Sequence, residues 1–165
     1  MNDKVKGVLI WCSKKKQGIK ITSPNDNLCN AYLKKSNDAL KSMNLNRTAG
    51  LYDWAVETAY YSRYYAIYAL LQKCGILSEI HDCSIVSIKY LFNNKISEEL
   101  IKELEEAKIQ RVNLVYYVNR EVQEKELKKN FESAPYFVLA IEKIISEINR
   151  EEIKQIVEKL SSTIS

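Results

Sequence analysis

Apolar residues recur along most of this chain at intervals of three and four, the period of helices packed on one side. Val5, Val8, Leu9 and Cys12 make the first such run, capped by Asp3 and closed by Lys14-Lys15-Lys16 and Gly18. Ile19 to Thr22 alternates and reads as extended, and Ser23-Pro24-Asn25-Asp26-Asn27 is a loop. Asn27 caps a helix to about Met43, with Leu28, Ala31, Tyr32, Leu33 and Leu40 on its packed side, and Asn44 to Gly50 is a polar connector.

The segment from about Leu51 to Cys74 differs from the rest. Three stripes run along it at helical spacing. One is small (Ala55, Ala59, Ser62, Ala66, Ala69), one aromatic (Trp54, Tyr61, Tyr65, Tyr68), and one apolar (Val56, Tyr60, Ile67, Leu71, Cys74). A helix apolar nearly all round is central in its fold or lies in an oligomer interface. Its tyrosines fit core or dimer packing, or a platform on which RNA bases stack. Gly75 stops this helix, and Asp82 caps a short one bearing Ile85, Ile88, Leu91 and Phe92.

Ser97 opens a longer helix to about Val118, with Leu100, Leu104, Ala107, Leu114 and Val118 in its stripe. Arg111 falls in the same stripe. A guanidinium keeps its charge, so this one either pairs with a carboxylate across a helix interface or is kept for a phosphate. Asn119 to Asn130 is charged and reads as a loop or an exposed helical extension. Ser133 to Ile148 is helical, with Pro135 in its first turn or kinking a longer helix. A last helix runs from about Glu151 to Leu160, ahead of a frayed tail. The pattern predicts an all-α bundle of about four long helices with shorter additions.

Composition narrows this further. Four Gly and two Pro in 165 residues exclude a turn-rich β-sandwich. One His excludes a multi-His metal site, and no Gly-rich phosphate loop or internal repeat is present, so neither metal nor cofactor is expected. The cysteines Cys12, Cys29, Cys74 and Cys83 form no CxxC pair; with no secretory leader they read as reduced thiols of a cytoplasmic protein. No apolar run reaches membrane-spanning length, so no membrane partner is expected. Residues 1–50 hold ten Lys and Arg against three Asp, whereas residues 51–165 are net acidic. Lys14, Lys15 and Lys16, with Arg63, are therefore candidates to meet RNA phosphates; a solvated lysine surface is the alternative.

Residues 54–81, WAVETAYYSRYYAIYALLQKCGILSEIH, resemble the signature of the HEPN superfamily in its small stand-alone branch. Ala59-Tyr60-Tyr61, Ala69-Leu70-Leu71, Gly75 and His81 fit that signature, and Arg111-Val-Asn-Leu-Val-Tyr116-Tyr117 falls where the family carries its arginine motif. The likeness covers roughly residues 28–149, giving an HEPN-like domain over 27–165 and an N-terminal extension over 1–26. It implies a helical homodimer with a cleft between the arginine-bearing helices. It also implies a metal-independent endoribonuclease or an RNA- or nucleotide-binding module, often beside a nucleotidyltransferase in a toxin–antitoxin pair. A non-catalytic protein-interaction module is the alternative. In active members the arginine stabilises the pentacoordinate phosphate, and a His four to six residues later handles a proton.

Here the fifth position after Arg111 is Tyr116, a poor base at neutral pH. On an ideal helix it lies about 140° from Arg111, so the two meet only through a distorted helix or a second chain. Some family antitoxins are adenylylated on a Tyr seven residues after the arginine; that position here is Val118. The catalytic candidates are Arg111, Tyr116 and His81. His81 reads as a loop-to-helix structural residue or as the available imidazole, its pKa lowered at a helix N-terminus.

Overall fold

The computed structural model describes residues 3–116 and 123–165. Among these are seven helices and a two-stranded ribbon: α1 (Asp3–Ser13), β1 (Lys20–Ile21), α2 (Asp26–Thr48), α3 (Tyr52–Lys73), β2 (Ile76–Leu77), α4 (His81–Leu91), α5 (Glu98–Tyr116), α6 (Glu124–Glu147) and α7 (Arg150–Ile164). The four longest, α2, α3, α5 and α6, are the expected bundle. Tyr117, Val118 and the start of the expected 119–130 connector lie outside the described residues.

α3 is central. Ala55, Ala59, Ser62, Ala66 and Ala69 are all buried, as are Val56, Tyr60, Ile67 and Leu71. α2, α4, α5, α6 and β2 pack around it. The small stripe lets α2 approach closely enough for Ser36 Oγ to donate to the Ser62 carbonyl at 2.7 Å. The small and apolar stripes of α3 are thus covered within one chain, whereas in its aromatic stripe Trp54 is exposed and Tyr61 and Tyr65 are half-buried.

Several boundaries differ from the sequence expectation. The cap of α2 is Asn25, whose side chain accepts from Leu28 N–H at 2.9 Å. That cap turns Leu28 and Ala31 outward and leaves Cys29, Ser36 and Met43 as the buried row. α2 also continues through Asn44–Thr48, since nothing before Gly50 breaks it and Thr48 bonds back to the Asn44 carbonyl. Asp82 caps nothing; it sits in the first turn of α4 and pairs with Lys108 of α5. α6 begins at Glu124 and carries Pro135 in its interior. α7 extends to Ile164 through the expected tail, capped by an Asn149–Glu152 capping box.

The N-terminal segment is stitched to the bundle. Leu9, Cys12 and Ile19 are buried in the same core as α3 and α4. β1 pairs antiparallel with β2, and Thr22 N–H donates to the Gly75 carbonyl at 2.7 Å. Gly75 has φ +71°, and a Cβ there would strike the Thr22 carbonyl, so only glycine fits. Cys12 and Cys83 form a disulfide, with Cα atoms 5.8 Å apart. This corrects the expectation of four reduced thiols; Cys29 and Cys74 alone are free, and both are buried. Cysteine spacing does not reveal that α1 packs across the start of α4. No helix among the described residues is long and apolar enough to cross a membrane.

Candidate functional site

α3 places Glu57, Tyr60, Tyr61, Tyr64, Tyr65 and Tyr68 along one face, because residues three and four apart line up on a helix. The Gly75 turn and β2 return the chain so that α4 starts beside this face and presents His81 to it. α5 crosses the same face and brings Arg111.

The His81 ring stacks on Tyr64 at 3.8 Å between centroids and lies edge-on to Tyr61 at 6.1 Å. Its Nδ1 is 2.7 Å from the Tyr60 hydroxyl. Burial pushes the Tyr60 phenol far above its ordinary range and the Tyr64 phenol up to about 12. Tyr60 therefore keeps its proton at neutral pH, and its hydroxyl donates to Nδ1 or accepts from Nδ1–H according to the tautomer of the ring. Burial, then Arg111 and Lys108, lower the pKa of His81, while Asp82 opposes them. Together these favour a neutral imidazole.

Arg111 sits over the same rings, 5.5 Å from the Tyr60 centroid and 5.1 Å from that of Tyr61. Its Nη2 donates to Glu57 Oε1 at 3.2 Å and to the Tyr61 hydroxyl at 3.3 Å. Burial works against its charge, but Tyr61, Glu57 and Tyr116 outweigh it and raise its pKa. Its Nε is buried and has no hydrogen-bond partner among the described residues. A buried cationic N–H without an acceptor is costly, and a shift of the side chain that brought it to an anion would satisfy it.

Arg111 and His81, unconnected in the sequence, thus meet across Tyr60 and Tyr61. Tyr116 joins them within one chain, contrary to the angular expectation: the guanidinium reaches to 5.9 Å from its ring centroid. Helical side chains lean toward the N-terminus, so Tyr116 tips back toward a long side chain five residues earlier. Tyr116 remains 64% exposed.

Arg63 is not a nucleic-acid contact. It is fully buried on the other side of α3, held by Glu103 Oε1 at 2.8 Å, the Ala59 and Asn130 carbonyls, and Ser133 Oγ. Lys14, Lys15 and Lys16 are exposed after α1, and Lys15 lies over Trp11 at 4.5 Å. The disulfide holds this turn near the start of α4, since Lys14 follows Cys12 by two residues and His81 precedes Cys83 by two.

Sequence reasoning did not assign Glu57 and Tyr60 to the site. The available signal was Glu57, a carboxylate on a nearly uncharged helix, four residues before Tyr61. Among the described residues, no group of three or more His, Cys, Asp or Glu could hold a metal ion. The arrangement can bind an anion at Arg111 and exchange a proton at His81. The family model of the HEPN domain matches residues 29–150. Among curated proteins, none matches the chain.

Proposed function

The chain belongs to the HEPN domain family, and on that premise we propose that it binds a phosphate of RNA or a nucleotide at Arg111, beside His81. One observation carries the reading. Arg111 and His81 pack on the same two tyrosines, with Arg111 Nε buried and lacking an acceptor. Arg111 would offset the charge gathering on a phosphate under attack. His81 takes the place of the absent imidazole after Arg111: in the neutral tautomer whose Nδ1–H donates to the Tyr60 hydroxyl oxygen, Nε2 is left to accept the proton of a 2′-hydroxyl. Tyr116 can donate a hydrogen bond to phosphate.

The test is RNA binding and cleavage in the presence of a chelator. Arg111→Ala should weaken binding about tenfold or more, the worth of a charge-assisted hydrogen bond. Any cleavage should also be lost in His81→Gln. Binding and cleavage equal to wild type in Arg111→Ala would overturn the reading. Binding without cleavage would instead support a non-catalytic module, a second reading favoured by the Glu57–Arg111 ion pair and the Tyr116 replacement.

A homodimer belongs to the same proposal. The exposed apolar side chains that suit dimerisation are Trp54 of α3 and Tyr136 and Leu139 of α6. Sedimentation at micromolar concentration should give twice the 19.1 kDa chain mass; a monomer would remove this part. A nucleotidyltransferase partner in a toxin–antitoxin arrangement is the further step, tested by co-purification with the product of an adjacent reading frame.

A further inference from the structure

Lys34 and Lys35 are neighbours on α2 with different fates. Lys34 pairs with Asp38 at 2.7 Å. Lys35 makes no ion pair among the described residues. Its ammonium lies 5.4 Å from the centroid of Tyr65 and 5.6 Å from that of Tyr32. Ring faces attract a cation but do not cancel its charge as a carboxylate does.

These rings continue toward Arg111. Tyr32 and Tyr65 are 6.1 Å apart, Tyr65 and Tyr61 are stacked at 5.5 Å, and Tyr61 touches Arg111. Tyr32, Tyr61 and Tyr65 are partly exposed, whereas Tyr60, Tyr64 and Tyr68 behind them are buried. The surface therefore carries an unbroken strip, with Arg111 at one end, two tyrosines along α3, and Lys35 with Tyr32 at the other end. Tyr61 and Tyr65 are one helical turn apart, about 6 Å of rise. A ligand suited to the whole strip has two anions separated by planar apolar groups. Single-stranded nucleic acid has that chemistry, whereas a duplex hides its base faces.

We propose that Lys35 is a second phosphate subsite, and that Tyr61, Tyr65 and Tyr32 carry the bases of single-stranded RNA between it and Arg111. The inference rests on the reading of Arg111 as a phosphate site and extends it by a strand path. The experiment is fluorescence anisotropy with labelled oligouridylates of about two and about eight nucleotides, across a salt series. Lys35→Gln should weaken the longer oligomer about three- to tenfold, lower its salt slope by about 0.7, and spare the dinucleotide. Lys34→Gln, an equal loss of charge on the same helix, should do neither. Tyr65→Leu should weaken the longer oligomer about fivefold or more.

If Lys35→Gln matches Lys34→Gln while Arg111→Ala still weakens the dinucleotide, the strip is wrong and the Arg111 site stands. A dinucleotide indifferent to Arg111→Ala, or absence of binding by either oligomer, overturns both. A duplex of equal length bound as tightly as the single strand overturns the strip.

Discussion

A single imidazole makes His81 directly observable, since its Cε1 proton is the one such signal in the chain. Burial first, then the cations Arg111 and Lys108, favour the neutral ring, against Asp82. Titration by NMR should therefore give a midpoint below the ordinary value of about 6.5. Tyr60→Phe identifies the tautomer: the midpoint falls further where the hydroxyl accepts from Nδ1–H and rises where it donates to Nδ1. The same shift enters stability. Between about 6.5 and the lower folded value, the unfolded chain binds the proton and the folded chain does not. Stability present above that window falls as pH drops through it, and His81→Gln should flatten that part of the curve. At this scale the sequence named Arg111 and His81 but not their meeting. Thirty positions separate them, and only the return through Gly75 and β2 brings both onto Tyr60 and Tyr61.

Helices were legible wherever one face carried an unbroken apolar row, as in α3 and α5. α6 was harder because its first turns are charged and Pro135 interrupts the pattern. Lys and Glu are nevertheless good helix formers, and Leu127 and Phe131 extend the packed row upstream of the proline. Pro135 lacks the N–H that would meet the Phe131 carbonyl. One residue earlier, Arg63 bonds the Asn130 carbonyl at 2.8 Å, and it also reaches Ser133 and Glu103. Arg63 thus braces α6 against α3 beside the place where the helix ladder is weakest. Arg63→Met should cost about 3–5 kcal/mol, because Glu103 and a buried carbonyl lose their partner. Urea denaturation measures that loss, and amide exchange should quicken first around Asn130–Ala134. Arg63→Lys should not rescue it, since an ammonium lacks the planar fork that reaches several acceptors. An arginine in a row of small and aromatic residues looks the same in sequence whether it faces solvent or the core.

At the scale of the whole molecule, the N-terminal segment was the least legible part. Its helix and its extended residues follow from the sequence pattern, but its attachment does not, because four cysteines allow six single bridges, three double-bridge connectivities and also none. The Cys12–Cys83 bond, the β1–β2 ribbon and the burial of Leu9 make the segment part of the fold. Cross-linking residues 71 apart restricts the unfolded chain, which predicts a loss of about 4 kcal/mol in Cys83→Ser, or in wild type under reductant, by denaturant titration. Equal stability with and without reductant would show the ribbon and the core to be sufficient.

The disulfide also turns residues 12–83 into a covalent ring. That ring contains α2 and α3, with Lys35, Tyr60, Tyr61 and Tyr65, and it ends just past His81. The exposed turn at residues 49–51, open to a protease, also lies inside it. A cut there linearises the ring without freeing a fragment, so the severed protein remains one molecule until its thiols are reduced.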